Sequence, residues 1–409
     1  MSLPAEVDPP PGRIASIDVL RGLDVLLMLF VNELAGVRGA PRFLLHTPPS
    51  GDGITITDVV FPAFLFIMGM AIPLAIGGRL ARGQTRGEVA RHVLARGLAL
   101  LVMGLLMVNG EHAGEHGPLS PELWNALLVV GIVMVWGTSA VASARFVRGL
   151  GIALLLLLAL GYPAGDGVGL LQLRPHYWGI LGLIGWSYLV SAGVYLALGD
   201  RPAALVGSIV LLYCVYVGAE IGHVAWLNVL EPHLIGRWIA AHAAVALSGT
   251  ALGVGLVRER ALGGAPSRIA KQALGHAAAF AAAGLLLHTA GKLDPGFWVN
   301  KVLATPPWCL LSSAWTCLAW TLVYWLVDVK GWRPWRVVSM AGENALVAYL
   351  LPLFLLSVFA LSAPLFGGLN PYETLGRATS AGFVRAAVFA WVVVRLGGWL
   401  RSRGVRLQL

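Results

Sequence analysis

The sequence predicts an all-α protein, a polytopic transmembrane bundle of about 12 helices forming a single domain over residues 1–409. Hydrophobic residues make up 57% of the chain and charged residues 12%, whereas soluble domains carry about 25% charged residues. The charges cluster between apolar runs, many of which approach the roughly 20 helical residues needed to cross a hydrocarbon core of about 30 Å. No internal repeat or low-complexity linker divides these runs, so one bundle is expected.

The apolar runs place the helices in order along the chain. The first six are expected at 17–36, 56–78, 92–108, 121–138, 149–163 and 178–198, the fifth being the shortest. The other six are expected at 202–222, 236–256, 272–290, 306–327, 338–362 and 379–398. Pro62 and Pro73 predict kinks in the second helix. The polar, proline-rich start argues against a signal peptide.

Basic residues predict the orientation, because cytosolic loops carry an excess of lysine and arginine. With the N-terminus in the cytosol, the even-numbered gaps between helices and the two ends hold most of the 29 basic residues. They fall at 79–96, 145–148, 201, 258–271, 330–336 and 395–406, with Arg13 and Arg21 near the start. We therefore expect both termini in the cytosol. The net charge of +9 is interpreted as a topology signal and not as a nucleic-acid footprint.

The first helix carries a polar stripe. Asp18, Arg21 and Asn32 fall within about 60° of one another on a helix otherwise rich in Leu, Val and Met. Polar groups inside a bilayer are costly, so they are candidates for function. Asp18 and Arg21 are equally well explained as a structural pair at i,i+3. For Asn32 a functional role is favoured over a bond to a neighbouring helix, because the outer loop that carries His46 follows it directly.

The outer loop at residues 37–55 carries His46 and leads to Asp58 at the start of the second helix. An imidazole can take a proton from an attacking amine or hydroxyl near neutral pH. Asp58 has two interpretations that the sequence leaves open. It caps the second helix, or it orients the histidine.

Two further groups contain titratable side chains. Glu343 and Asn344 lie inside the eleventh predicted helix, where a glutamate requires a partner or a cavity. Glu111-His112 and Glu115-His116 imitate an i,i+4 metal pair, but their glycine-rich surroundings favour a solvated turn. No metal site is therefore expected.

Several blocks together resemble a known family. They are Arg13-Ile-Ala-Ser-Ile-Asp18-Val-Leu-Arg21-Gly22, then Val31-Asn32, His46, and residues 53–69, followed by residues 179–188, 299–301, 327–331 and 342–346. In this order they resemble heparan-α-glucosaminide N-acetyltransferases and their bacterial relatives. The first block is also similar to the start of O-antigen-acetylase-type membrane O-acyltransferases.

The resemblance implies a ten-helix core, to which the fourth and fifth helices are additional. It implies that acetyl-CoA enters as a co-substrate from the cytosol and that an amino sugar or glycan on the periplasmic side receives the acetyl group. His46 corresponds to the family's catalytic histidine and Asn32 to its neighbouring asparagine, with Asp58 expected to hold the histidine or the acceptor. Depth and charge suggest that Arg21 and Arg96 meet the anionic end of CoA. Asp18 and Asn344 complete the predicted donor-binding set.

One departure leaves the acceptor open. The family's usual Trp after the histidine is absent, and Thr47-Pro48-Pro49-Ser50-Gly51-Asp52 stands in its place. An O-acyltransferase using the same path is one alternative. A secondary transporter is another, although the paired, broken repeats typical of such folds are not seen. The expected setting is a bacterial cytoplasmic membrane, with a small-molecule or glycan acceptor and the lipid bilayer as partners and no nucleic acid. A homodimer is left open.

Overall fold

The computed structural model describes residues 14–114, 118–138, 145–164, 167–169, 172–332, 336–376 and 379–407. Arg13, Glu115 and His116 lie outside these ranges. The described helices are α1 Ala15–Leu34, α2 Ile56–Ala81, α3 Arg86–Glu111, α4 Pro121–Trp136, α5 Arg145–Leu160, α6 Gly179–Leu198, α7 Pro202–Glu220, α8 His242–Ala261, α9 Pro266–His288, α10 Pro306–Tyr324, α11 Arg336–Glu343, α12 Ala345–Leu361 and α13 Thr379–Ser402. The described extended pairing is limited to β1 Pro163–Ala164 and β2 Gly167–Val168. The predicted all-α class is confirmed.

Eight helices are long and apolar enough to cross a membrane, within the described part of the chain. They are α2, α3, α6, α7, α8 with its π-helical start Leu234–Ala241, α9, α10 and α13. The pair α11 and α12 makes a ninth if it is counted as one span. The polytopic helical bundle is thus confirmed. Helix α1 is long enough at 20 residues, but it carries Asp18, Arg21, Asp24 and Glu33 and is therefore more polar.

The eleventh predicted helix, 338–362, is wrong in one respect, because the structure breaks it in two. Helices α11 and α12 meet at Asn344 with a bend of 88°. The Asn344 amide donates to the carbonyl oxygens of Gly397 and Val405, at 3.3 and 3.1 Å. Asparagine is a weak helix former because its side chain competes for backbone partners. A hydropathy pattern does not register such a bend.

Glycines allow the closest helix crossings. A Cβ atom on Gly22 of α1 would overlap the carbonyl oxygen of Val338 in α11. A Cβ atom on Gly69 of α2 would overlap the carbonyl oxygen of Ala246 in α8. Small residues let backbones approach in membrane bundles, where packing supplies much of the association energy. These crossings fix α1 and α2, the two helices that border the candidate site.

The bundle has two distinct ends. At one end, which we call the His46 end, the loop at 35–55 contacts the segment at 289–305. At the opposite, arginine-rich end, Asp328 accepts hydrogen bonds from the backbone N–H groups of Ala15 and Ser16, at 3.0 Å each, and so caps α1. Residues Arg79, Arg86 and Arg96 belong to this second end, because α2 finishes there and α3 begins there.

Candidate functional site

His46 and Asp58 are in direct contact. The His46 Nδ1 atom lies 2.8 Å from Oδ1 of Asp58, which is completely buried. The Asp58 carboxylate also forms a capping box with Thr55 and accepts the Thr47 hydroxyl at 2.8 Å. Asp58 therefore both caps α2 and orients His46, the two roles that the sequence left open. Because a carboxylate only accepts, we assign the proton to Nδ1, which makes Nε2 of His46 the acceptor nitrogen of the ring.

The loop that carries His46 is fastened to the segment before α10. Asn300 is buried, and its amide donates to the carbonyl oxygens of Pro48 and Gly51, at 2.9 and 2.7 Å. Asp52 accepts the Val299 N–H at 2.8 Å and lies 2.8 Å from Nε2 of His288. Burial opposes ionisation of Asp52, but the bonds with His288 and Val299 outweigh it and lower the pKa of that carboxyl. The loop is thus held in one geometry.

Lys301 adds a cation beside the imidazole. Its Nζ atom lies 3.1 Å from Nε2 and 3.3 Å from Nδ1 of His46. Burial lowers the pKa of Lys301 to about 8, against the opposing attraction of Asp58. Lys301 belongs to one of the blocks of resemblance, but no role was predicted for it from the sequence. No local sequence pattern indicates the contact between Lys301 and His46, because the two residues are 255 positions apart in the chain.

A cavity of about 810 Å³ runs along α2 from the arginine-rich end towards the dyad. Arg79, His92 and Arg96 line it at the arginine-rich end, with Arg79 Nη2 2.8 Å from His92 Nε2. Phe61 lines the other end, one turn beyond Asp58. The stretch of α2 between Arg79 and Phe61 rises about 27 Å, close to the thickness of a hydrocarbon core. The cavity therefore follows most of the bundle.

Three of the four predicted donor-binding residues line this cavity, namely Arg21, Arg96 and Asn344. Asp18 lies outside the lining and is 3.4 Å from the Arg21 guanidinium. The Arg96 guanidinium lies 5.0 Å from the centre of the Tyr188 ring. The Asn344 amide is engaged by backbone carbonyls, as described above, so part of its role is structural.

Glu343 has the partner that its position required. Its carboxylate lies 2.7 Å from the Arg401 guanidinium, and the residue also lines the cavity. The ion pair joins α11 to the last turn of α13, so it holds the bend at Asn344 against the C-terminal helix.

Asn32 is not brought into contact with His46 by any described hydrogen bond. Its side chain is exposed near the end of α1 and lies outside the cavity lining, and no described residue bonds it. The next residue, Glu33, accepts a hydrogen bond from Tyr372 and lies 3.9 Å from Arg385. The polar stripe is therefore divided, with Arg21 in the cavity and Asn32 beyond it. A catalytic role for Asn32 stays a prediction.

Asp24 was missed by the sequence analysis. It is 7% exposed, and its Oδ2 atom has no hydrogen-bond partner among the described residues. It lines a second, mostly apolar cavity of about 420 Å³ between α1, α2 and α10. Asp24 sits about 60° around the helix from Arg21, which placed it off the predicted stripe. A lone carboxylate between Leu23 and Val25 was nevertheless a usable signal.

Glu111 and His112 are more than a solvated turn. Glu111 accepts a hydrogen bond from the Tyr177 hydroxyl at 3.2 Å, and the His112 ring stacks on that of His176 with centroids 4.2 Å apart. Across the described ranges, no group of three or more His, Cys, Asp or Glu side chains is placed to hold a metal ion.

Comparison with known proteins connects the first third of the chain to a characterised enzyme. Residues 13–134 match DUF5009, a family described as a domain of unknown function. Heparan-alpha-glucosaminide N-acetyltransferase of Homo sapiens is 32% identical over 129 residues, which is 32% of this chain and 18% of the human protein. The Mus musculus protein of the same name is 32% identical over 128 residues, 31% of this chain and 18% of its own length. The resemblance seen in the sequence is confirmed as a family relationship of the N-terminal region. The matched part is less than a fifth of either relative.

Proposed function

We propose that the protein is a single-domain transmembrane N-acetyltransferase that moves acetyl from acetyl-CoA at the arginine-rich end to an amino sugar at the His46 end. One observation carries this proposal above the others. The cavity extends from a group of basic side chains at one end of α2 to Phe61, one turn from the Asp58 carboxylate that holds His46. The relationship of the N-terminal region to N-acetyltransferases supports the reaction type.

The donor would enter between α1, α2 and α3. Arginine binds phosphate groups through paired N–H donors, so Arg21, Arg79 and Arg96 suit the phosphates of CoA. Beyond them the cavity is lined mainly by apolar side chains such as Met68 and Ile72, which suit an uncharged thioester arm. Its volume of about 810 Å³ is in the range of ordinary ligand pockets.

The chemistry would take place at Nε2 of His46. The acceptor nitrogen attacks the thioester carbonyl, forming a C–N bond, while Nε2 removes its proton. The C–S bond then breaks, and the CoA thiolate leaves and takes that proton from the imidazolium. Asp58 holds the ring through Nδ1 and stabilises the imidazolium. Lys301 and Asn32 would supply positive charge and a donor to the developing oxyanion.

The choice of an amino-sugar acceptor rests on what the relatives are named for. The same dyad can deprotonate a hydroxyl, so glucose serves as the comparison acceptor for O-acyl transfer. The orientation proposed from the basic residues puts both termini in the cytosol of a bacterial cell and the His46 end in the periplasm.

The proposal is tested with purified protein, labelled acetyl-CoA and glucosamine. We expect labelled N-acetylglucosamine and a higher melting temperature with CoA, because a ligand that binds only the native state stabilises it. Arg96→Ala should weaken the thermal shift, whereas Arg91→Ala, an exposed residue on the same helix, should leave it unchanged. If the parent protein shows neither acetyl transfer nor a thermal shift with CoA, the proposal is wrong.

A further inference from the structure

A second cluster of polar and aromatic side chains lies at the His46 end, and the proposed reaction does not use it. Tyr177 donates its hydroxyl to Glu111 Oε2 at 3.2 Å, and its ring centroid lies 6.2 Å from that of Trp238. The stacked rings of His112 and His176 adjoin it, since they are the chain neighbours of Glu111 and Tyr177. Burial, reinforced by Glu111, raises the pKa of Tyr177, so its hydroxyl stays protonated and orients the carboxylate.

The cluster borders the end of the main cavity. Ile180, three residues after Tyr177 in the chain, lines that cavity. On the other side, the Trp238 ring is 6.4 Å from His242, whose ring is 5.4 Å from Phe61 of the cavity lining. The cluster therefore lies beside the mouth where an acceptor would arrive.

The backbone that carries these aromatic rings adopts unusual conformations. His176 and Trp178 adopt left-handed conformations, with φ of 47° and 67°, which residues other than glycine rarely do. Trp238 stands on the π-helical segment Leu234–Ala241, a conformation that is often associated with functional sites. Glu111 and His112 remain exposed, so packing alone does not account for their arrangement.

We propose, on the basis of the acetyltransferase function above, that Glu111, Tyr177 and Trp238 form a subsite for the sugar next to the one that is acetylated. The acceptor is then an oligosaccharide of at least two units. The faces of a pyranose ring are lined by C–H groups that pack on aromatic rings such as that of Trp238. A carboxylate accepts hydrogen bonds from sugar hydroxyls or from an ammonium group, which is the role of Glu111. Trp238 would then take the place of the tryptophan that the family carries after its histidine and that the His46 loop lacks.

The test compares glucosamine with its β-1,4-linked disaccharide. The parent should show a KM about tenfold lower for the disaccharide, which corresponds to one stacked and hydrogen-bonded ring. Glu111→Gln and Trp238→Ala should raise the disaccharide KM towards that of glucosamine, with glucosamine transfer unchanged. Trp226→Ala removes a 74% exposed tryptophan at the same end and should change neither KM. Glu111→Gln replaces an exposed side chain by one of the same shape, so folding is preserved.

The outcomes separate this inference from the function on which it rests. Equal KM values for both sugars in an active parent, or unchanged values in both variants, overturn the subsite and leave the acetyltransferase in place. If the parent transfers acetyl to neither sugar, the proposed function fails. Calorimetric binding of the disaccharide then decides the subsite, which stands if Glu111→Gln abolishes binding and falls if the parent does not bind.

Discussion

At the scale of the residue, the site depends on side chains brought together from distant loops. His46 contacts Asp58 of α2 on one side and Lys301 of the segment before α10 on the other. Asn300, next to Lys301, holds the loop of His46 through three backbone carbonyls. The base, the group that orients it and the neighbouring cation are therefore joined by one set of contacts.

The charge of Lys301 predicts a pH dependence. Its pKa is lowered to about 8 from an ordinary value near 10.5, so the ammonium is present below pH 8 and is lost as the pH rises through that value. If that charge stabilises the oxyanion, kcat should fall above pH 8. Loss of one such donor typically costs about 10²–10³-fold in kcat. In Lys301→Arg the charge persists, so the fall should be displaced to higher pH.

The measurement is kcat for parent and Lys301→Arg from pH 6.5 to 10 at saturating acceptor. The ratio of the two profiles cancels the titration of the acceptor amine and of His46. A constant ratio across this range would show that Lys301 does not act through its charge.

The sequence predicts those site residues that lie close together along the chain and does not predict those that lie far apart. His46 and Asp58 lie 12 residues apart across one loop, so a motif finds them together. Lys301 and Asn300 act across about 250 residues, and only the folded chain shows their contacts. Asp24 was predictable as a carboxylate in an apolar stretch of α1, but it lies off the stripe of Asp18, Arg21 and Asn32.

At the scale of the element, the break at Asn344 and the glycine crossings shape the cavity. Hydropathy predicted the helices well, because each apolar run has to satisfy its own backbone in a bilayer. It predicted neither the bend of 88° nor the π-helical start of α8, since both depend on contacts with other segments. Gly22 matters most for the site, because it lies beside Arg21 and meets α11 just before the bend.

Gly22→Ala should destabilise the bundle, because the added methyl group overlaps the Val338 carbonyl oxygen. Overpacking of this kind costs about 1–3 kcal/mol. Gly77→Ala in α2 is the matched control, since nothing lies within 4 Å of its added Cβ atom. There the same change should stabilise the helix by about 0.5–1 kcal/mol.

Melting temperatures of the purified variants in detergent compare these two changes directly. The Gly22 variant should also lose part of the CoA-induced shift, because Arg21 would be displaced from the cavity. Equal melting temperatures for the two variants would mean that the α1–α11 crossing is not as close as described.

At the scale of the whole molecule, the two ends differ in the way that vectorial transfer requires. The described chain gathers arginines, the basic end of the cavity and the cap on α1 at one end, and the dyad and the aromatic cluster at the other. The charge asymmetry was visible in the sequence because the positive-inside rule acts on loop composition alone. The continuous cavity was not, because it is lined by segments from residue 21 to residue 407.

The central claim is that acetyl crosses the bundle from CoA to an acceptor deprotonated by His46. Sealed proteoliposomes test it most directly, with labelled acetyl-CoA outside and glucosamine disaccharide trapped inside. We expect labelled acetylated sugar in the lumen, and a loss of about 10²–10⁴-fold in His46→Ala, since that is the usual cost of removing a general base. His223→Ala, an exposed histidine at the same end, should transfer at the parent rate. Product that forms only when donor and acceptor share a compartment, or transfer by His46→Ala at the parent rate, would contradict the claim.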